Sequence, residues 1–397
     1  MKKILVTGNG FDLHHELPTS YNNFIDILGV VDESNEFDFE KIFNTVYKDI
    51  QSDNQFDLNI EKIRKLKELL NDNIWYKHFK EIKSDLTWID FENEILNVIQ
   101  IIQSFIKAFN SEIFPIKYFS GNLANNHLFQ RYLNGNELVK VTLLKLNILN
   151  FDSFLHTGLR FWINDTYLIC KNSLSYLDID RIVKLLISEL EKFKLIFNMY
   201  FDCFVTPFYE INKYKINEDI VRNINEHYTF NYTQTFDKVY EKNFTRHIHG
   251  KIGEYHSIVL GIDSLDKDIE DKKYFIPFTK LYQKLNYSTD YKFIGTNNKN
   301  DDFYVFIWGH SLDSSDAVYL KEIFTLLDDD SYERKVIIII RNQSSKGKLL
   351  VNLIDILSPE KVDAYMKNDK LIFSENDSTE LSMNLNYIPK PKIGKVR

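Results

Sequence analysis

The sequence predicts an open α/β sheet of parallel strands, broken after its first strand by a large all-helical insertion. Three observations carry this prediction. The chain opens with a short apolar run, Ile4-Leu5-Val6, that halts at Gly8-Asn9-Gly10, as a buried strand does on entering a tight loop. Residues 336–340 read Val-Ile-Ile-Ile-Ile, the composition of a strand covered on both faces. Between about residues 36 and 222 the apolar residues recur at helical spacing instead.

The first strand needs its glycines. Only glycine lets a backbone turn sharply and approach a phosphate closely enough for its N–H groups to donate. The third, helix-packing glycine of the full dinucleotide fingerprint is absent, so the pair serves equally as a plain turn. A polar turn follows at Leu17-Pro18-Thr19-Ser20.

The middle of the chain carries three apolar stripes. Phe39, Ile42, Phe43, Val46 and Ile50 form the first, and Phe91 through Phe109 the second. The third runs from Ile179 to Tyr200, with Asp178 placed as its cap. Strand signals resume as short pieces at 227–230, 246–249, 257–262, 304–308 and 336–340. The expected organisation is therefore one Rossmann-like nucleotide-binding domain from 1–30 and 226–397, with 31–225 as a helical insertion domain forming a lid or crevice wall.

Composition narrows the function classes. The 397 residues include 31 Phe and 23 Tyr but only 13 Gly and 7 Pro, which favours a packed, helix-rich protein over a disordered one. A net charge of −8 supplies no basic field for duplex DNA, so a nucleic-acid partner is not expected. The two cysteines, Cys170 and Cys203, make no metal spacing and read as buried free thiols in a reducing compartment. The N-terminal apolar run is too short for a secretory leader, and no apolar stretch approaches the ~18 residues of a membrane span. A cytoplasmic protein is expected, and a homo-oligomer is compatible with the sequence.

Chemistry-bearing residues gather where strands end, the edge at which open α/β sheets bind ligands. Asn231 follows a strand and offers a carboxamide to a ribose or amide, or else closes its own turn. His247 and His249 alternate onto one strand face, with Gly250 opening the chain behind them. Gly309, His310, Ser311 and Asp316 lie in a strand–turn–helix stretch that either presents backbone donors to a nucleotide or is an ordinary helix cap.

Six motifs recur here in one order: GNGFDL at 8–13, LPTSYNNF at 17–24, TWIDFENEI at 87–95, FNYTQTF at 230–236, HIHGKIG at 247–253 with VLGID at 259–263, and WGHSLDSSD at 308–316. The ordered set resembles the AbiH family of phage abortive-infection proteins across nearly the whole chain. At longer range it resembles the sirtuin-like NAD-binding fold, with Gly8, Gly10, Leu17-Pro18, Asn231 and His249-Gly250 as counterparts. The sirtuin zinc-binding cysteines are missing, and Asn9, Phe11 and Asp12 replace the usual small residues.

That resemblance implies an anti-phage protein that cleaves the N-glycosidic bond of NAD or a related nucleotide, with no further cofactor and with a phage-encoded trigger as partner. His249 would be the base, Asn231 would hold the ribose or order water, and Asp12 would bind ribose or carboxamide. Gly8, Asn9 and Gly10 would face the pyrophosphate. Phe11, Thr19, Ser20, Tyr232, Gly309, His310, Ser311 and Asp316 complete the expected nucleotide contacts. Two alternatives stand beside it: a non-catalytic sensor of a nucleotide or phage component, and a metal-dependent hydrolase using His247 and His249 with Asp263 or Asp12.

Overall fold

The computed structural model describes residues 1–44, 56–82, 87–110, 127–154, 158–171, 174–211, 216–265, 269, 271–287, 292–294 and 298–389. Its centre is a six-stranded sheet made of β1 (Lys2–Thr7), β6 (Glu226–Thr229), β7 (Thr245–His247), β8 (Phe303–Trp308), β9 (Arg334–Ile340) and β10 (Leu371–Glu375). All neighbouring strands run parallel, in the spatial order β10-β9-β8-β1-β6-β7. Counted along the chain within this sheet, the order is that of a doubly wound α/β fold whose switch point lies between β1 and β8.

The inner strands β1, β8 and β9 carry long apolar runs because both of their faces are covered. Ile4 and Val6 join one core with Val305, Ile307, Val336 and the C-terminal helices Gln343–Leu357 and Pro359–Lys367. Leu5 points the other way, into a second core shared with Phe306, Ile337 and the long helices between β1 and β6. Each fully buried Leu, Ile or Phe of these layers contributes roughly 1.5–3 kcal/mol relative to an exposed one.

The expected helical stripes form helices. Trp88–Asn110 buries Phe91, Ile95, Val98, Ile102, Phe105 and Phe109. Ile179–Tyr200 buries its whole apolar stripe beyond Ile179 and is capped by Asp178, whose carboxylate accepts from the Arg181 N–H. The first stripe appears as Phe39–Phe43, while Val46 and Ile50 lie outside the described residues.

Three expectations need correction. The segment between β1 and β6 is not all-helical: it contains two antiparallel hairpins, β2 (Leu149–Phe154) with β3 (Gly158–Ile163), and β4 (Leu168–Lys171) with β5 (Leu174–Leu177). Residues 257–262 are not a strand. They run beside Gln283, whose carboxamide accepts from the Leu260 N–H at 3.0 Å and donates to the Leu260 carbonyl at 2.9 Å, taking the place of a strand neighbour. Strand β7 ends at His247, so His249 lies beyond the sheet. Among the described residues, no helix is long and apolar enough to cross a membrane.

Candidate functional site

Register decides which residues meet. Thr7 pairs with Thr229 on one side and Trp308 on the other, and Thr229 pairs with His247. These strands therefore end level, and two residues beyond that row come Asn9, Asn231, His249 and His310. One edge of the sheet thus collects side chains that the sequence scatters over three hundred positions.

The floor of the site is an interlock of two loops. The Gly10 N–H donates to the Gly309 carbonyl at 2.7 Å, and the Phe11 N–H donates to the Gly8 carbonyl at 2.9 Å. Gly309 has φ +70°, and a Cβ there would sit 2.0 Å from the Phe11 nitrogen. A Cβ on Gly8 or Gly10 would meet the backbone of His310 or Gly309 at 2.7 and 2.8 Å. Close approach of two backbones accounts for these glycines, and the Gly8 and Gly10 N–H groups are already engaged. Asn231 ties the third loop in, its Nδ2 donating to the Gly8 carbonyl at 2.9 Å.

Asp12 is buried beneath this floor. Its carboxylate accepts from the hydroxyls of Thr233 and Thr235, both at 2.6 Å, which pins the loop carrying Asn231. Burial pushes its carboxyl up to about 6, against the pull of those hydroxyls. Phe11 lies in the core against His15, Tyr240 and Trp308. Ser20 caps the helix Tyr21–Glu33 through a reciprocal pair with Asn23. Thr19 is buried, with its carbonyl accepting from Trp88 Nε1 and its hydroxyl oxygen unpartnered. Ser311 is exposed, and its carbonyl takes the Asn352 amide.

A cluster of titratable side chains centres on Asp316, just before the helix Ala317–Thr325. Its Oδ1 lies 3.4 Å from His249 Nε2, its Oδ2 lies 3.3 Å from His310 Nε2, and Lys280 Nζ is 3.8 Å from Oδ1. His310 Nδ1 accepts the Leu312 N–H at 2.9 Å, which leaves Nε2, the nitrogen facing Asp316, as the ring's donor. Lys280 Nζ also contacts Glu92 Oε2 at 2.8 Å. Tyr232 donates to the Val259 carbonyl and closes one side of the cluster.

His249 and Asp316 face each other without satisfying each other. His249 Nε2 and Asp316 Oδ1 are both buried and neither has a hydrogen-bond partner, because their 3.4 Å contact is too long or misaligned to count as one. Burial holds His249 down to about 3, with Lys284 as the next cause, so its imidazole is neutral near pH 7. Asp316 is held well below the usual carboxylate range: burial opposes this as the largest single influence, and Lys280, His249 and His310 together outweigh it. Burial pushes Glu92 up to about 7 against the opposing charge of Lys280.

Gly250, directly after His249, has φ +82°, and a Cβ there would fall 2.0 Å from the Ser257 carbonyl oxygen. The glycine lets the chain reverse and leaves the imidazole at the sheet edge. His247 does not share the site: its Nδ1 donates to the Asn231 carbonyl at 3.2 Å. Among the described residues, no group of three or more His, Cys, Asp or Glu side chains is arranged to hold a metal ion. An open cavity of about 580 Å³, lined by Phe37, Phe39, Phe56 and Leu58 among others, lies within the insertion and shares no residue with the cluster.

The structure thus brings together Gly8, Asn231, Tyr232, His249, Gly309, His310 and Asp316 from the sequence reading. It adds Glu92, Lys280, Lys284 and Tyr319, to which that reading gave no role. Glu92 does fall inside the TWIDFENEI motif.

A family model described as bacteriophage abortive infection AbiH matches residues 4–338. The chain belongs to the AbiH family. The match begins in β1 and ends in β9, so it takes in every AbiH site residue named above. Neither a curated protein nor a solved structure matches this AbiH chain. The family ties the AbiH chain to abortive infection, a defence against bacteriophage.

Proposed function

We propose that this AbiH protein acts in phage defence by cleaving the N-glycosidic bond of NAD or a related nucleotide at the His249 edge of the sheet. One observation carries the reading: a neutral, buried imidazole whose Nε2 has no hydrogen-bond partner, beside a buried carboxylate, at the switch-point edge of a doubly wound sheet. The bond from the ribose C1′ to the nicotinamide nitrogen breaks, and nicotinamide leaves neutral. Positive charge develops on the ribose, where the buried Asp316 carboxylate is favourable. Water adds to C1′, and its proton passes to His249.

The test is nicotinamide release from NAD and NADP by purified protein, with and without phage lysate, compared across wild type, His249→Ala and Asn231→Ala. Release by wild type that is lost in His249→Ala is the expected result. Equal release by the two would remove His249 from the chemistry.

A second reading, nucleotide binding without cleavage, draws on a different observation. His249, Lys280 and Lys284 are each no more than 5% exposed, and a base held down to about 3 is a weak proton acceptor in this closed state. Under that reading wild type binds nucleotide without releasing nicotinamide, and His249→Ala still protects cells against phage.

A further inference from the structure

The helix Lys280–Tyr287 is built inside out. Lys280, Gln283 and Lys284 are its buried residues, while Leu281, Tyr282 and Leu285 are exposed at 65%, 40% and 59%. A surface helix stabilised by core packing does the reverse. Burying an ammonium group is strongly unfavourable unless an anion compensates it, so the fold alone does not account for two lysines on the inner face.

Lys280 is compensated at ion-pair distance by Glu92 and Asp316. Lys284 feels the same carboxylates only at longer range. Its Nζ makes a close hydrogen bond to the Tyr319 hydroxyl and sits 4.3 Å from the centroid of that ring. Among the described residues, no carboxylate oxygen lies within ion-pair distance of it. The Tyr319 hydroxyl accepts from Lys284, and its own proton has no acceptor among the described residues. Beside this pair lies the unpartnered His249 Nε2, whose titration Lys284 influences directly.

We infer that Lys284 and Tyr319 form an anion subsite beside His249, built to take a phosphate group of the ligand. The inference rests on the nucleotide reading above and narrows it to phosphate-bearing ligands docked on this wall. A buried cation with no carboxylate in ion-pair contact, next to a hydroxyl with a free proton, matches a phosphate oxygen in both charge and donor count.

Two linked effects follow. Burial holds Lys284 down to about 7, with Asp316, Glu92 and Asp263 opposing and Lys280 adding to the shift. A bound phosphate restores the ammonium form, so binding above neutral pH takes up a proton. After burial, Lys284 is also the largest influence holding His249 low. A phosphate beside Lys284 offsets that charge, and the imidazole becomes a better base once the ligand is in place.

The experiment is calorimetric titration of the full chain with inorganic pyrophosphate and with ADP, at pH 7 and 8.5, each in two buffers of different ionisation enthalpy. Wild type is expected to bind with proton uptake that grows between the two pH values. Lys284→Met should weaken binding by about 10- to 100-fold. Lys284→Arg should keep binding but lose the proton uptake, because a guanidinium is always charged. Leu281→Ala, on the exposed face of the same helix, should bind like wild type. If cleavage fails while these results hold, only the hydrolytic reading falls. Unaltered binding in a folded Lys284→Met protein, or no binding of either probe by wild type, overturns the subsite.

Discussion

Lys280 Nζ lies 2.8 Å from Glu92 Oε2, joining a helix of the insertion to the helix that roofs the sheet edge. The pair is nearly dry, with side-chain exposures of 6% and 15%. Breaking such a pair by deleting one partner strands the other charge, which typically costs about 3–5 kcal/mol. The segment between β1 and β6 therefore helps to build the site: it supplies the carboxylate that lets Lys280 be buried beside Asp316.

Catalysis should depend on the His249–Asp316 pair as a unit. His249→Gln should lower the rate of nicotinamide release by about 10²–10⁴-fold. Asp316→Asn should lower kcat by a similar order, since it removes the charge that favours the imidazolium. The double variant should be little worse than either single one. Losses that multiply in the double variant would separate the two residues.

Stability should carry a signature of Lys284 in its pH dependence. The folded protein releases the Lys284 proton near pH 7, whereas the unfolded chain holds it to about 10.5. Between those values the unfolded state binds more protons, so stability from this group is present at high pH and is lost as pH falls toward 7. Lys284→Met removes the effect. Its melting temperature should exceed that of wild type most at pH 7, and the gap should close above pH 10. A gap independent of pH would place the lysine in an ordinary solvated environment.

Asp12 should behave as a structural anchor of the loop at 231–235. Asp12→Ala leaves the Thr233 and Thr235 hydroxyls unpaired and should cost about 1–3 kcal/mol per stranded group, read by urea denaturation. Asp12→Asn should recover part of that loss, because its carbonyl oxygen still accepts. Full stability in Asp12→Ala together with lost nucleotide binding would instead place Asp12 at the ligand.

The glycines should divide by environment. Gly309→Ala meets the Phe11 nitrogen at 2.0 Å and must hold φ +70°, so the strain alone is about 1–3 kcal/mol and the two loops must also separate. Gly29→Ala lies in the helix Tyr21–Glu33 with nothing within 4 Å of the added Cβ. It should stabilise by roughly 0.5–1 kcal/mol. Thermal unfolding of the two variants reads both signs in one experiment.

What the sequence revealed follows from what periodicity can encode. Strands β1, β8 and β9 were legible because burial on both faces leaves an unbroken apolar run. β10 was missed: Leu371–Glu375 is a short edge strand with only Leu371 and Ser374 buried, so it carries no such run. In the β2–β3 hairpin, Leu149, Phe151, Leu159 and Phe161 share one face. Only Leu149 and Phe161 of these are buried, whereas Phe151 and Leu159 are exposed, so each strand carries only a short apolar–polar alternation.

At the site, His249 and His310 could be placed from the sequence because each comes two residues after a strand end, and Asp316 because it precedes the helix that follows β8. Lys280 and Lys284 were not. Their i, i+4 spacing defines a helical face as regular as that of Leu281 and Leu285, and spacing alone favours the leucines for the interior. Only the surrounding carboxylate and hydroxyl side chains decide the other way.

The interlocked glycine loops have a consequence for how this protein can diversify. Gly8, Gly10 and Gly309 leave no room for a side chain, so substitution there is paid for in fold integrity. On the helix Lys280–Tyr287, Lys280 and Gln283 are likewise tied into the fold, through Glu92 and Leu260. Lys284 is the inward position there without such a tie, its contact being the Tyr319 hydroxyl. Under the proposed nucleotide reading, a change of ligand preference therefore disturbs the fold least at that one position, while the glycine interlock holds the sheet edge in place.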